Sequence, residues 1–277
     1  MIDRIVKSFS GSVLILLALF FLQSCQGDGG EDTKDNYLEL KPELIEEPVE
    51  NPKEIPVLVE KSIEYYGGEA FENFSFGFHF RDKWYSISEE KGVFKYIRSF
   101  VNEDGEKIED ELSNTGFSRN LNGNPVELDA QKQAAYTASV NSVAYFMLLP
   151  YRLTDRATQF KPLGPDTLKG VVYERMGVTF AQEGGGEDHQ DKFMFWINPE
   201  NYRMDYLAYS YETNGGGIRF REAIKQHHLS NGMILQDYLN FKCEDLTLPL
   251  ENLGREFEKG NLKEVSRIEA ASIRVIY

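Results

Sequence analysis

The sequence predicts a mainly β, α+β fold in which an antiparallel meander carries two helices. Three observations predict it. Apolar and polar residues alternate through successive short segments such as "FENFSFGFHFRDKWYSIS" and "YRMDYLAYSYE", which is the period of a half-buried strand. The joins between segments are tight turns, too short for the crossovers of roughly a dozen residues that parallel pairs require. Two stretches replace the alternation with helical spacing. The 19 Phe and 15 Tyr among 277 residues suit a β-rich core.

The first helix is expected within "IPVLVEKSIEYYGG". Pro56 is tolerated in an opening turn, Val59, Ile63 and Tyr66 share a face, and Gly67-Gly68 ends the helix. Next comes a strand with Phe74, Phe76, Phe78 and Phe80 on one face and Ser75, Gly77, His79 and Arg81 on the other. "GVFKYIRSFV" and "EKIEDELSNTGFSRNLNG" continue as strands, with turns at Glu103-Asp104-Gly105 and Asn122-Gly123.

The second helix is expected within "LDAQKQAAYTASVNSVAYFMLLPYRL". Asp129 can cap it, Tyr136, Val140, Val143, Ala144 and Met147 form its apolar stripe, and Pro150 ends it. Strands resume with "KGVVYERMGVTF", "DKFMFWIN", "YRMDYLAYSYE", "GIRFREAIKQHH", "MILQDYLNFKCE" and "VSRIEAASIRVIY". Their joins are Gly-rich, or the turn Asn198-Pro199-Glu200-Asn201.

Thirty basic residues against 45 acidic ones give a net charge of −15, which argues against nucleic acid as a partner, since phosphate contacts need clustered Lys and Arg. Residues 1–24 read as a lipoprotein signal peptide: Arg4 and Lys7, an apolar run from Val13 to Leu22, then Gln23-Ser24-Cys25. The run is about half the length that spans a bilayer. "LQSC" resembles a lipobox, which implies cleavage before Cys25, lipidation of Cys25 and anchoring to a membrane. Residues 25–54 are acidic, carry Pro42, Pro48 and Pro52 and have few apolar side chains, the composition of a disordered tether. Its opening, "QGDGGED", also resembles the acidic export signal of surface lipoproteins of Bacteroidota. The folded domain is expected over 55–277. Cys243 is then the remaining thiol, and no disulfide framework exists.

The segments "LLPYRLTDRATQF", "LGPDTLKGVVYERMGVTF", "GGGEDHQDKFMFWINPENYRMDYLAYSYETNGGGIRFREA" and "GMILQDYLNF" resemble an uncharacterised family of Bacteroidota lipoproteins. The strand–"NPEN"–strand hairpin is similar to that of the lipoprotein-carrier LolA/LolB class. That resemblance implies a curved antiparallel sheet or half-barrel of about ten strands, with two or more helices on the concave side over an apolar cavity. It implies an outer-membrane lipoprotein on the periplasmic or cell-surface face. The cavity lining is expected from Phe76, Phe78, Phe80, Val143, Met147, Phe193, Phe195 and Tyr206, around a lipid or other apolar small molecule.

Chemistry-bearing residues gather around the two Gly triplets. His189 and Asp191 share a strand face with Phe193 and Phe195. Arg219 and Arg221 share a face with Tyr209 and Tyr211 if Glu212 pairs with Ile218. Asp188, His189, Asp191, Arg219 and Arg221 are therefore a candidate rim site, with the acids approaching the arginines. An envelope hydrolase would use His189 as base and Asp188 or Asp191 to orient it; a structural or docking module would use the same residues only as cross-strand pairs. No catalytic residue, metal ligand or cofactor is assigned. Zinc needs at least about three protein ligands, both triplets lead into strands rather than a phosphate-binding helix, no G-x-S-x-G occurs, and the pattern of an eight-unit α/β barrel is missing. The favoured expectation is a non-enzymatic, membrane-anchored binder of an apolar ligand.

Overall fold

The computed structural model describes residues 54–181, 190–212 and 216–276. The signal peptide, Cys25 and nearly all of the tether lie outside the described residues, as do Asp188 and His189.

The first helix, α1 (Val57–Tyr66), begins after Pro56 and buries Val59, Ser62 and Tyr66. It stops at Gly67, whose φ of 156° suits a residue without a side chain. A Cβ there would also crowd the Phe71 ring at 3.1 Å. A short 3-10 turn (Gly68–Glu72) leads into β1 (Asn73–Phe80), where Phe74, Phe76 and Phe78 are buried on one face. On the other face Gly77 leaves room for the Trp84 indole, which a Cβ would meet at 2.2 Å. β2 (Lys83–Glu90), β3 (Val93–Val101), β4 (Lys107–Ser113), β5 (Gly116–Leu121) and the two-residue β6 (Asn124–Pro125) continue the meander.

Helix α2 (Ala130–Met147) interrupts it, capped by Asp129, whose side chain accepts from the Lys132 N–H at 2.8 Å. A second meander follows: β7 (Thr158–Leu168), β8 (Val171–Phe180), β9 (Lys192–Ile197), β10 (Met204–Tyr211), β11 (Gly217–His228) and β12 (Ile234–Cys243). The β9–β10 turn is closed by Asn198, whose side-chain oxygen accepts from the Glu200 N–H at 2.8 Å. After α3 (Leu253–Glu258) come β13 (Lys263–Ile268) and β14 (Ala270–Val275).

These strands form two seven-stranded antiparallel sheets rather than one meander. The first runs β14-β1-β2-β3-β4-β5-β6 and the second β13-β12-β11-β10-β9-β8-β7. Both orders are open, and neither sheet closes on itself into a barrel. The expected last strand is split at Glu269: β13 pairs with β12 in the second sheet, β14 with β1 in the first.

One core is shared by both sheets and the first two helices, combining Phe76, Ile87 and Tyr96 with Phe195, Leu207 and Tyr238. A second core lies on the opposite face of the second sheet, where Trp196, Phe220 and Cys243 pack with Leu253 of α3. The second sheet is thus covered on both faces. That explains why β9 reads as an unbroken apolar run instead of an alternating one. Helix α1 is fastened to this sheet by a buried polar cluster. Tyr66 donates its hydroxyl to Gln236 Oε1 at 2.8 Å and accepts from the Met204 N–H at 3.2 Å.

Candidate functional site: a pocket between α2 and the second sheet

Helix α2 spans the inner faces of both sheets. Its first half lies on the first sheet, over a buried charge cluster. Arg98 on β3 reaches Asp110 on β4 through Nε at 2.8 Å and Nη2 at 2.6 Å, and donates Nη1 to Ser139 Oγ on α2 at 2.7 Å. Arg119 on β5 completes the cluster, with Nε 2.6 Å from Asp110 Oδ1 and its guanidinium 3.6 Å from the centre of the Tyr136 ring. The second half turns aromatic side chains onto the second sheet. Phe146 packs against Phe193 and Tyr209 with ring centres 6.0 and 5.1 Å apart. Burial pushes the neighbouring Tyr145 hydroxyl far above its usual range.

Beside Phe146 is a cavity of about 170 Å³. Its apolar wall is Phe80, Val143, Phe146, Met147 and Ile268; its polar wall includes Arg81, Arg221, Asp237, Asn240 and Ser266. Arg221 is only 6% exposed. Its guanidinium stacks 3.7 Å from the centre of the Phe146 ring, and Nη2 donates to the Tyr209 hydroxyl at 2.8 Å. Its Nε has no hydrogen-bond partner among the described residues, and neither does Asn240 Oδ1, on the residue that faces Arg221 across β11 and β12. Asp237 is already engaged, by His227 Nε2 at 2.8 Å and the Ala270 N–H at 2.9 Å. Burial raises the nearby Tyr238 hydroxyl to about 12. A wider cleft of about 470 Å³ lies by the second sheet near residues 246–251, with Lys161, Lys192, Leu163 and Leu248 among its lining residues.

The sequence-predicted residues separate into groups. Phe80, Val143 and Met147 line the small cavity. Phe76, Phe78, Phe193 and Phe195 are packed inside the shared core. Tyr206 belongs to the second core, because β9 and β10 pair it with Trp196 and not with Phe195. At the rim, the expected Glu212–Ile218 pair is replaced by Ser210–Ile218. The offset is even, so Arg219 and Arg221 keep the face of Tyr209 and Tyr211. Strands β9 and β11 flank β10, and Lys192, Ser210 and Ile218 stand in register, so the starts of β9 and β11 lie at the same end of the sheet. Arg219 donates to the Ile218 carbonyl at 3.0 Å and lies 5.3 Å from the Tyr211 ring centre. Arg221 departs from the expected exposed acid–base pair: it is buried against an aromatic ring, and no carboxylate among the described residues forms an ion pair with it. Phe146, Asp237 and Asn240 escaped the sequence reading. The signal for Asp237 and Asn240 was polar residues set inside the otherwise apolar strand "MILQDYLNF".

Among the described residues no group of three or more His, Cys, Asp and Glu could hold a metal ion. No described helix is long and apolar enough to cross a membrane.

Residues 47–270 match the family of unknown function DUF6503, and the chain belongs to that family. No curated protein matches the sequence. Among solved structures the chain is similar to a LolA superfamily protein from Nitrosomonas europaea. The identity is 11% and the TM-score 0.45, with 79% of this chain and 92% of that one covered. It is also similar to a putative outer membrane lipoprotein-sorting protein domain from Vibrio parahaemolyticus, at 10% identity and a TM-score of 0.37, covering 73% and 97% of the two chains. A third likeness is to the Mycobacterium tuberculosis lipoprotein LppX, at 9% identity and a TM-score of 0.26, covering 59% and 91%.

Proposed function

We propose that this member of the DUF6503 family is a lipoprotein of the bacterial envelope, of the Bacteroidota type, that binds a lipid or another apolar ligand between α2 and the second sheet without catalysis. Cys25 carries its lipid anchor to the outer membrane, and the two sheets act as a half-barrel around α1 and α2. The observation that carries this reading is the cavity beside Phe146, with Phe80, Val143, Met147 and Ile268 as its apolar wall. At about 170 Å³ it is smaller than the roughly 300 Å³ of a small-ligand site. A longer occupant therefore requires α2 to lift. Helix α2 suits that movement, because only Val140 and Ala144 of its 18 residues are buried. Lifting would open the cavity toward Phe193 and Phe195.

The test uses the mature chain and N-phenyl-1-naphthylamine, a neutral probe that fluoresces in apolar surroundings. Saturable binding is expected, with displacement by dodecanol. Val143→Trp, which fills the cavity, should weaken binding while the melting temperature stays close to that of the parent. An absence of saturable binding sinks the proposal.

A further inference from the structure

We infer that the cavity beside α2 recognises an anionic headgroup, a carboxylate or a phosphate, and that Arg221 is the residue that reads it. The inference rests on the ligand-binding function proposed above and adds the chemistry of the ligand's polar end. Arg221 is only 6% exposed, and a buried guanidinium needs something to offset its lost hydration. Here Phe146 and Tyr209 supply ring faces, and Tyr209 supplies one hydrogen bond. Nε is left without a partner, on a side chain that lines the cavity. Asp237 lines the same cavity but is committed to His227 and to the backbone of Ala270.

A second guanidinium, Arg81, lines the cavity and is exposed to solvent. An anion entering past Arg81 would meet Arg221 at the buried end. The planar donor fork of arginine fits two oxygens of one carboxylate or phosphate. Asn240 is placed to help. Its Nδ2 donates to Ser266 Oγ at 3.1 Å and its Oδ1 is unpartnered, so the reverse amide orientation would offer an N–H₂ donor to the same anion. The apolar wall of Val143, Met147 and Ile268 fits the chain behind such a headgroup. The ligand class is therefore an anionic amphiphile.

Calorimetric titration of the mature chain with dodecanoate, dodecyl phosphate, dodecanol and dodecyltrimethylammonium tests this. Both anions should bind about tenfold or more tightly than the alcohol, with the cation weakest. Arg221→Gln should erase that preference and leave alcohol binding in place, whereas Arg221→Lys should retain part of it. Equal affinity of the parent protein for dodecanoate and dodecanol overturns the headgroup inference while sparing the binding function. Failure of all four ligands and of inorganic phosphate as well overturns both. Inorganic phosphate is the last arm: Arg221-dependent binding of phosphate with none of the amphiphiles would keep the anion site and reject a lipid as its source. Should Arg221→Gln not fold, the series on the parent protein still decides the question.

Discussion

Arg98 Nη1 lies 2.7 Å from Ser139 Oγ, and this contact ties α2 to the charge cluster beneath it. The same guanidinium shares Asp110 with Arg119, and the Asp110 carboxylate is fully buried. Removing either arginine leaves part of that buried charge uncompensated. Arg98→Ala is expected to cost about 3 kcal/mol or more in urea unfolding, and Ser139→Ala only about 1 kcal/mol. A cost for Arg98→Ala no larger than that of Ser139→Ala would show that the cluster does not stabilise the fold.

The two apolar positions on α2 should respond differently to a charge. Val140 is 1% exposed, whereas Val143 is only half-buried at the cavity. Val140→Asp would bury an unpaired carboxylate and should lower stability by roughly 3 kcal/mol or more. Val143→Asp should cost less, because its carboxylate can reach the cavity. Equal melting temperatures for the two variants would place both positions in the same environment.

Gly77 exists for Trp84. Any Cβ at position 77 would stand 2.2 Å from the indole. Gly77→Ala should destabilise by about 1–3 kcal/mol through overpacking and shift tryptophan fluorescence. Shrinking the partner in Trp84→Ala should recover part of that loss in a double-mutant cycle. Simple additivity of the two changes would refute the steric account.

Alkaline stability follows from buried tyrosines. Burial raises Tyr96 and Tyr238 from an ordinary 10.0 to about 12 each. An acid that holds its proton more tightly when folded stabilises the fold below its unfolded pKa, and that contribution fades as pH rises through the folded value. Stability should therefore be insensitive to these groups up to about pH 10 and fall between about 10 and 12. Tyrosinate absorbance near that window should rise together with loss of circular dichroism. Ionisation of the full tyrosine complement with the fold intact would contradict the prediction.

The proposed lipid anchor has its own assay. Cys25→Ser should abolish incorporation of a clickable palmitate analogue in growing cells and leave a precursor that is not processed. Labelling equal to that of the parent chain would end the lipoprotein assignment.

Much of the element order was legible because local signals agreed with the fold. The alternation of β1, the Asp129 cap and the Asn198 turn all sit where the sequence places them. What escaped was non-local or locally disguised. β7 contains Pro162 and Pro165, which read as breakers, and an edge strand tolerates them. α3 spans six residues, too short for a periodic stripe. The division into two sheets depends on what pairs with β13 and β14, which their sequence does not encode. Likewise the face of Tyr206 follows from the β9–β10 register, and a single-residue choice there exchanges the two cores. Arg221 shows the same limit at the site. Alternation assigned its face correctly, while packing that the sequence does not encode, including that of Phe146 from α2, makes that face an interior.

The division at Glu269 also bears on how the chain reaches its native state. Phe76 near the start of the domain pairs with Val275 near its end, so almost the whole described chain separates two neighbouring strands. Contacts of such long range are slow to form, because the entropy of closing the intervening loop is lost before the pairing is gained. Until β14 docks, one edge of β1 stays open, beside Phe74, Phe76 and Phe78. While the chain folds, that aromatic edge is open to wrong pairing, and a chaperone would have reason to cover it.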